Sequence, residues 1–241
     1  MRRGFFTLLF LLGLISLVAI SNQTANAQMS EKEKAKQVKK AGETAKNASK
    51  TLDELMRVSA RSIPEALLKD AKAIAVFPGV LKAAFGIGGS GGHGLISRRL
   101  KSGWSAPTAF KIASGSVGFQ IGGSSTDYVM LFMTENSLKN LLEDQFEIGG
   151  EASAAAGPIG RTAKASTDAQ LEAQILSYSR SKGLFAGISL TGAVISADND
   201  RNQALYGFSA KQLLTGDNKV AIESIPSATK GFQETITRYA K

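Results

Sequence analysis

The chain has 241 residues, a formal charge of +9, a single histidine and no cysteine. Disulfides, thiolate nucleophiles and cysteine-ligated metal are therefore excluded, and any metal site would depend almost wholly on oxygen ligands. The positive balance suits anionic lipid head groups, acidic polymers or acidic proteins as partners, or serves solubility alone.

In chain order, Arg2 and Arg3 precede an apolar run from Phe5 to Ile20, and a polar stretch then ends in Ala25-Asn26-Ala27. This is the layout of a secretory signal peptide over residues 1–27, cleaved near Ala27. Read instead as an uncleaved anchor, the run is short against the roughly 20 residues of a spanning helix. Export places the protein in the periplasm or cell envelope, where nucleic acid is not an expected partner. Losing Arg2 and Arg3 takes the charge from +9 to +7.

Residues 28–59 read as a lysine-rich helical arm, with the helix itself over 30–59. Ser30 and Glu33 have capping-box spacing, and Ala35, Val38, Ala41, Ala45, Ala48, Leu52, Leu55 and Met56 fall on one stripe. The alanine half of that stripe buries little area, so the arm either packs on its own domain or lies on a membrane or partner. Ser62 to Glu65, with Pro64 between them, predicts a second capped helix through Ala71.

From Ile74 the pattern changes to strands. They are expected over 74–79, 85–100, 105–114, 115–123 and 127–134, then within 146–166, 173–181 and 183–197. A helix capped by Thr134 is expected over 134–144, and closing helices over 209–216 and 227–240, the last interrupted by Gly231. Asp198-Asn199-Asp200 reads as a tight polar turn; Gln203 and Ser209 stand where a calcium loop needs glycine and glutamate. The fold class is α+β: a strongly curved, mainly antiparallel, barrel-like sheet with an N-terminal helical arm and short flanking helices, the domain spanning 60–241.

Phe85-Gly86-Ile87-Gly88-Gly89 is echoed by Phe119-Gln120-Ile121-Gly122-Gly123 and by Phe146-Glu147-Ile148-Gly149-Gly150. The expectation is three bent strands, each with a Gly-Gly corner. In the first, Gly86, Gly88, Ser90, Gly92 and Gly94 alternate onto one face and leave room for a close neighbour.

The same stretch fits two enzyme patterns by spacing. Gly86, Gly88 and Gly91 match a dinucleotide fingerprint, and Gly88-Gly89-Ser90-Gly91-Gly92 matches a nucleophile elbow. Both need a helix immediately afterwards, and GHGLISRRL is a poor helix start. His93, three residues beyond Ser90, reads as a strand residue with a local hydrogen bond. No catalytic constellation, metal site or cofactor is expected.

What remains is charge at strand ends. Arg98, Arg99 and Lys101 lie near Trp104, Arg161 follows Gly157-Pro158-Ile159-Gly160, and Arg180 and Lys182 precede Gly183-Leu184-Phe185. These six are the candidate lipid-binding residues; the alternative is ordinary solvated turn charge.

The succession Ile63-Pro64-Glu65-Ala66-Leu67-Leu68, Ala73-Ile74-Ala75-Val76-Phe77-Pro78, Gly103-Trp104-Ser105-Ala106-Pro107, Gly115-Ser116-Val117-Gly118-Phe119, Ala156-Gly157-Pro158-Ile159-Gly160-Arg161 and Tyr178-Ser179-Arg180-Ser181-Lys182-Gly183-Leu184-Phe185 resembles the SYLF domain over roughly residues 60–240. The resemblance implies a non-catalytic module that binds membrane lipids, phosphoinositides among them in eukaryotic relatives, and actin in fungal members. Thr191 stands where relatives often carry glutamate. An exported member meets neither actin nor the usual phosphoinositides, so the expected ligand is a phospholipid or other anionic membrane surface, reached by peripheral association. A structural or scaffold role toward another envelope macromolecule is the alternative.

Overall fold

The computed structural model describes residues 29–57, 62–85, 87–117, 122–143, 145–160, 172–216, 220 and 224–241. Residues from Glu31 to Lys241 form one unit. The signal-peptide reading and Arg161 lie outside the described residues.

Helix α1 (Glu31–Arg57) buries Ala41, Ala45, Ala48, Leu52 and Leu55 of the expected stripe, while Val38 and Met56 are half-buried and Ala35, before the helix reaches the domain, is exposed. It packs against α6 and across β1 and β2, so its apolar face is covered by its own domain. The short α2 (Glu65–Asp70) starts differently from the expected capping box. Pro64 occupies the cap position without a side-chain cap, and its carbonyl accepts from Leu67 and Leu68.

Ten strands follow: β1 (Ala73–Phe85), β2 (Ile87–Leu100), β3 (Gly103–Trp104), β4 (Thr108–Val117), β5 (Gly122–Phe132), β6 (Gln145–Glu147), β7 (Ala154–Ala156), β8 (Ile175–Ser181), β9 (Leu184–Gly187) and β10 (Val194–Ala197). They form a curled sheet in the order β6-β10-β4-β2-β1-β5-β8-β7, with β3 on β2 and β9 on β8. The pairings are antiparallel except for β7 with β8. The remaining described helices are α3 (Glu135–Leu141), α4 (Asn199–Tyr206), α5 (Ala210–Thr215) and α6 (Ser227–Tyr239). Thr134 caps α3 as expected, accepting from the Ser137 amide, and Ser209 with Gln212 forms a full capping box on α5. Gly231 does not interrupt α6.

Strand alternation sorts the core into two layers. Ile74, Val76, Leu95, Val129, Leu131 and Tyr178 face α1, α2 and α6. Ala75, Phe77, Ile96, Phe110, Met130 and Phe132 face α3, α5 and β6. Covering on both faces explains why Ile74 to Phe77 is an unbroken apolar run rather than an alternating one.

The glycine-rich echoes are not three bent strands. The first straddles a hairpin: Phe85 ends β1 and pairs with Ile87 at the start of β2. The second lies largely outside the described residues, with Gly122 opening β5. The third ends β6 in a turn where Gly149 has φ +88°. The irregularity that distorts the sheet sits in β1 instead, where the register slips between Val76 and Leu81 against β2 and between Phe77 and Val80 against β5. Pro78 and Gly79 supply it: Gly79 takes φ +61°, and its amide donates to Asp127 Oδ1 at 2.7 Å.

The alternating face of β2 does leave room. A Cβ on Gly94 would lie 2.4 Å from the Phe77 ring, and one on Gly92 would lie 2.9 Å from Val80 Cγ2. Two large apolar residues of β1 thus lie over glycines of β2.

Candidate functional site

Arg98 and Arg99 end β2 beside β3. Arg99 donates from Nε to the Ala71 carbonyl and from Nη2 to those of Leu68 and Ala240, while its guanidinium lies 4.3 Å from the Trp104 ring centroid. It thereby satisfies the free carbonyl ends of α2 and α6, and burial pulls its pKa below the ordinary arginine value against the opposing charge of Asp70. Arg98 donates to the Leu214 carbonyl at 3.1 Å and faces Glu135 at 3.6 Å. Lys101, in the following turn, is exposed.

Arg180 sits elsewhere. It pairs with Glu54 of α1 and with Asp127 Oδ2 at 3.0 Å, over the Phe185 ring. Asp127 also accepts from Gly79, so one carboxylate ties the β1 irregularity to β8. Lys182 is exposed in the β8–β9 turn with φ 50°, a left-handed conformation unusual for a side-chain-bearing residue. Arg98 is level with Ala73, Phe132 and Ile175. Arg180 is therefore five residues farther along β8, about 17 Å at the usual strand rise. The five described candidates do not converge on one patch.

Tyr178, in the stretch carrying the family resemblance, stands over Gly157: a Cβ there would fall 2.1 Å from the ring. Its hydroxyl donates to the Pro158 carbonyl, and burial raises its pKa. Gly187 is equally crowded, its absent Cβ 2.2 Å from the Gly157 carbonyl oxygen. Thr191 bonds Ser189 at 2.9 Å and packs against Gly149.

His93 is not locally bonded, contrary to expectation. Its Nδ1 lies 3.0 Å from Oδ2 of Asp198, 105 positions away. Asp198 follows β10 at the cap position of α4, and its amide donates to the Ala109 carbonyl. The expected tight polar turn is in fact the start of α4. The buried Asp198 carboxylate also meets Lys111 at 3.4 Å and Arg201 at 3.3 Å. Burial alone would raise its pKa. The hydrogen bond from His93 and the charges of Lys111 and Arg201 outweigh that and hold it below the ordinary aspartate range. Lys111 is directly opposite His93 in the β2–β4 pairing.

Ser90 is excluded from this cluster. It has opposite parity to His93 on β2, and its Oγ is 2.7 Å from Ser114 Oγ. No serine–histidine pair forms, and the stretch is a strand leading to no helix.

The His93–Asp198 cluster borders a groove of about 420 Å³ between α1 and the β1–β2 hairpin. Sequence reasoning missed it because its members come from α1, β2, β4 and α4, with no short-range spacing to connect them. The one available signal was strand pairing, which sets Lys111 against the only histidine.

A family model described as "Ysc84: Las17-binding protein actin regulator" matches residues 113–239, just over half of the chain. The chain belongs to the Ysc84 family. This is the SYLF family that its motifs resemble. The LAS seventeen-binding protein 3 of Saccharomyces cerevisiae is 40% identical over 160 residues, covering 64% of this chain and 35% of that protein. The SH3 domain-containing YSC84-like protein 1 of Mus musculus is 34% identical over 182 residues, covering 72% of this chain and 53% of that protein. The human protein of the same name is 32% identical over the same length. The chain thus spans about a third of the yeast relative and about half of the mammalian ones. The Ysc84 model begins within β4, so Asp198 and Arg201 fall inside the match while α1 and His93 precede it.

Proposed function

We propose that this Ysc84-family protein is an exported, non-enzymatic protein that associates peripherally with anionic phospholipid surfaces. The observation that carries this reading is the division of labour on α1. One face is buried against the domain, while Lys32, Lys34, Lys36, Lys39, Lys40, Lys46 and Lys50 are all exposed. A rigidly docked helix holds these charges on the protein surface, and each basic residue near an anionic leaflet is worth about 1 kcal/mol. Lys82, Lys101 and Lys182 are exposed as well. Arg98, Arg99 and Arg180 are half-buried and engaged by carbonyls and carboxylates of the same chain, whereas the lysines stay exposed even where Lys36 pairs with Glu33 and Lys50 with Glu54, so lipid contact is assigned first to the lysines.

Co-sedimentation of the full chain with phosphatidylglycerol-containing vesicles tests this. Binding is expected at low salt and is expected to weaken as salt rises. No binding at low salt would remove the reading. A second reading, a scaffold for another macromolecule, is favoured by the names of the relatives, one of which is called a LAS seventeen-binding protein. It predicts a crosslinked protein partner and indifference to vesicles.

A further inference from the structure

We propose that the groove between α1 and the β1–β2 hairpin is a binding site for a glycerophosphate group, held by Lys40, His93 and Arg201. Where that group is a lipid head group, the proposal deepens the membrane reading above and rests on it. The glycerophosphate site itself does not.

Three observations point to an anion. The first is a charge surplus. A single buried carboxylate, Asp198, faces two permanent cations, Lys111 and Arg201, and an imidazole. The cluster keeps positive charge after Asp198 is satisfied. Lys40 of α1 adds another cation at the groove wall, offset by Glu43.

The second is unused donor capacity. Arg201 is buried yet lines the groove. Its Nε faces Asp198, and its Nη1 reaches the Thr44 hydroxyl only at 3.4 Å. A guanidinium carries five N–H donors. The others have no protein partner among the described residues and open on the groove, where water or a ligand can accept them. His93 is similar: Asp198 holds Nδ1, while Nε2 bonds to none of the described residues and the ring is 43% exposed toward the groove. Asp198 thus fixes the ring so that its second nitrogen meets the ligand.

The third is the rim. Asn47 and Glu43 offer acceptors for the hydroxyls of an alcohol moiety. Leu81, one of two exposed large apolar residues among those described, borders the same groove and is 66% exposed. A cationic floor beside an apolar lip fits the phosphate end of an amphiphile.

The single histidine gives one imidazole signal in a long-range proton–nitrogen NMR spectrum of the full chain. Titration with sn-glycerol 3-phosphate should shift Nε2 saturably, and Lys40→Glu should weaken that titration about tenfold, as for one charged contact. Arg201→Lys, which retains the charge but not the fork, should weaken it too, and Lys40→Glu keeps the test sound should that buried variant misfold. Absence of a saturable shift, or a titration untouched by Lys40→Glu, overturns the site. The vesicle arm separates the sources. Loss of phosphatidylglycerol vesicle binding in His93→Gln and Lys40→Glu assigns the site to a lipid head group. Unchanged vesicle binding beside an intact glycerol 3-phosphate titration assigns it to a soluble ester. A shift without any vesicle binding removes the membrane reading and leaves the site standing. Vesicle binding without a shift does the reverse.

Discussion

Arg99 carries its charge inward, bridging three carbonyls at the ends of α2 and α6 and packing on Trp104. Arg99→Ala should therefore cost about 2 kcal/mol or more, the range of charge-assisted hydrogen bonds lost from a partly buried site. It should lower the unfolding midpoint in urea, and a change in vesicle binding with unchanged stability would contradict this role. Asp198 gives a pH prediction. Its folded pKa lies below the ordinary aspartate value of 3.8, so its stabilisation is full above that value and is lost as pH falls through the folded pKa. Asp198→Asn should lower stability at neutral pH by about 3 kcal/mol, since Arg201 is left buried and unpaired. It should also flatten the acid limb of stability against pH, measured by chemical denaturation. Gly94 and Gly91 form a matched pair on one strand. Gly94→Ala must displace Phe77 or the backbone of Val76 and should cost about 1–3 kcal/mol. Gly91→Ala meets only ordinary contact, 3.8 Å from the Ile112 carbonyl, and should be neutral or stabilising by up to about 1 kcal/mol.

Among the elements, α1 decides how charge is displayed. Leu52 and Leu55 are fully buried where the helix crosses the sheet, whereas its first half is held through alanines and the close approach of Gly42 to Ala228. Leu52→Ala should destabilise the domain by about 2–5 kcal/mol, as for a core cavity. Native-state hydrogen exchange should then show α1 opening with the global transition, and independent opening would contradict docking. The stripe of α1 was readable because a helical period survives even when half of its residues are small. The alternating glycines of β2 were readable for the same reason: parity along a strand predicted the open face that Phe77 and Val80 occupy. The repeated Phe-x-Ile-Gly-Gly pattern misled because a hairpin reversal and a strand end can share the same five residue types. The real irregularity, at Pro78-Gly79, carried the stronger local signal, a proline that cannot donate to the ladder followed by a glycine free to take positive φ.

At the scale of the whole molecule, the sheet takes residues far apart in sequence and sets them on shared rungs, which is where sequence reading stops. The α+β class and the curled antiparallel sheet followed from strand and turn signals. The His93–Asp198–Arg201 cluster did not, because it exists only once β10 pairs with β4 and α4 starts beside α1. The basic residues expected at strand ends prove to be at separate levels of the sheet. Arg99 and Arg180 brace the fold, and the lysines of α1 remain exposed, two of them paired along the helix, Lys36 with Glu33 and Lys50 with Glu54. The proposed membrane contact rests on that charge. The most direct measurement is co-sedimentation of the full chain with phosphatidylglycerol vesicles across a salt series, beside a Lys32→Glu, Lys36→Glu, Lys39→Glu variant. Screening shortens from about 10 Å at 0.1 M salt to about 3 Å at 1 M. Binding that falls steeply with salt and is largely lost in the variant is the predicted result. Binding indifferent to both salt and charge reversal would contradict it.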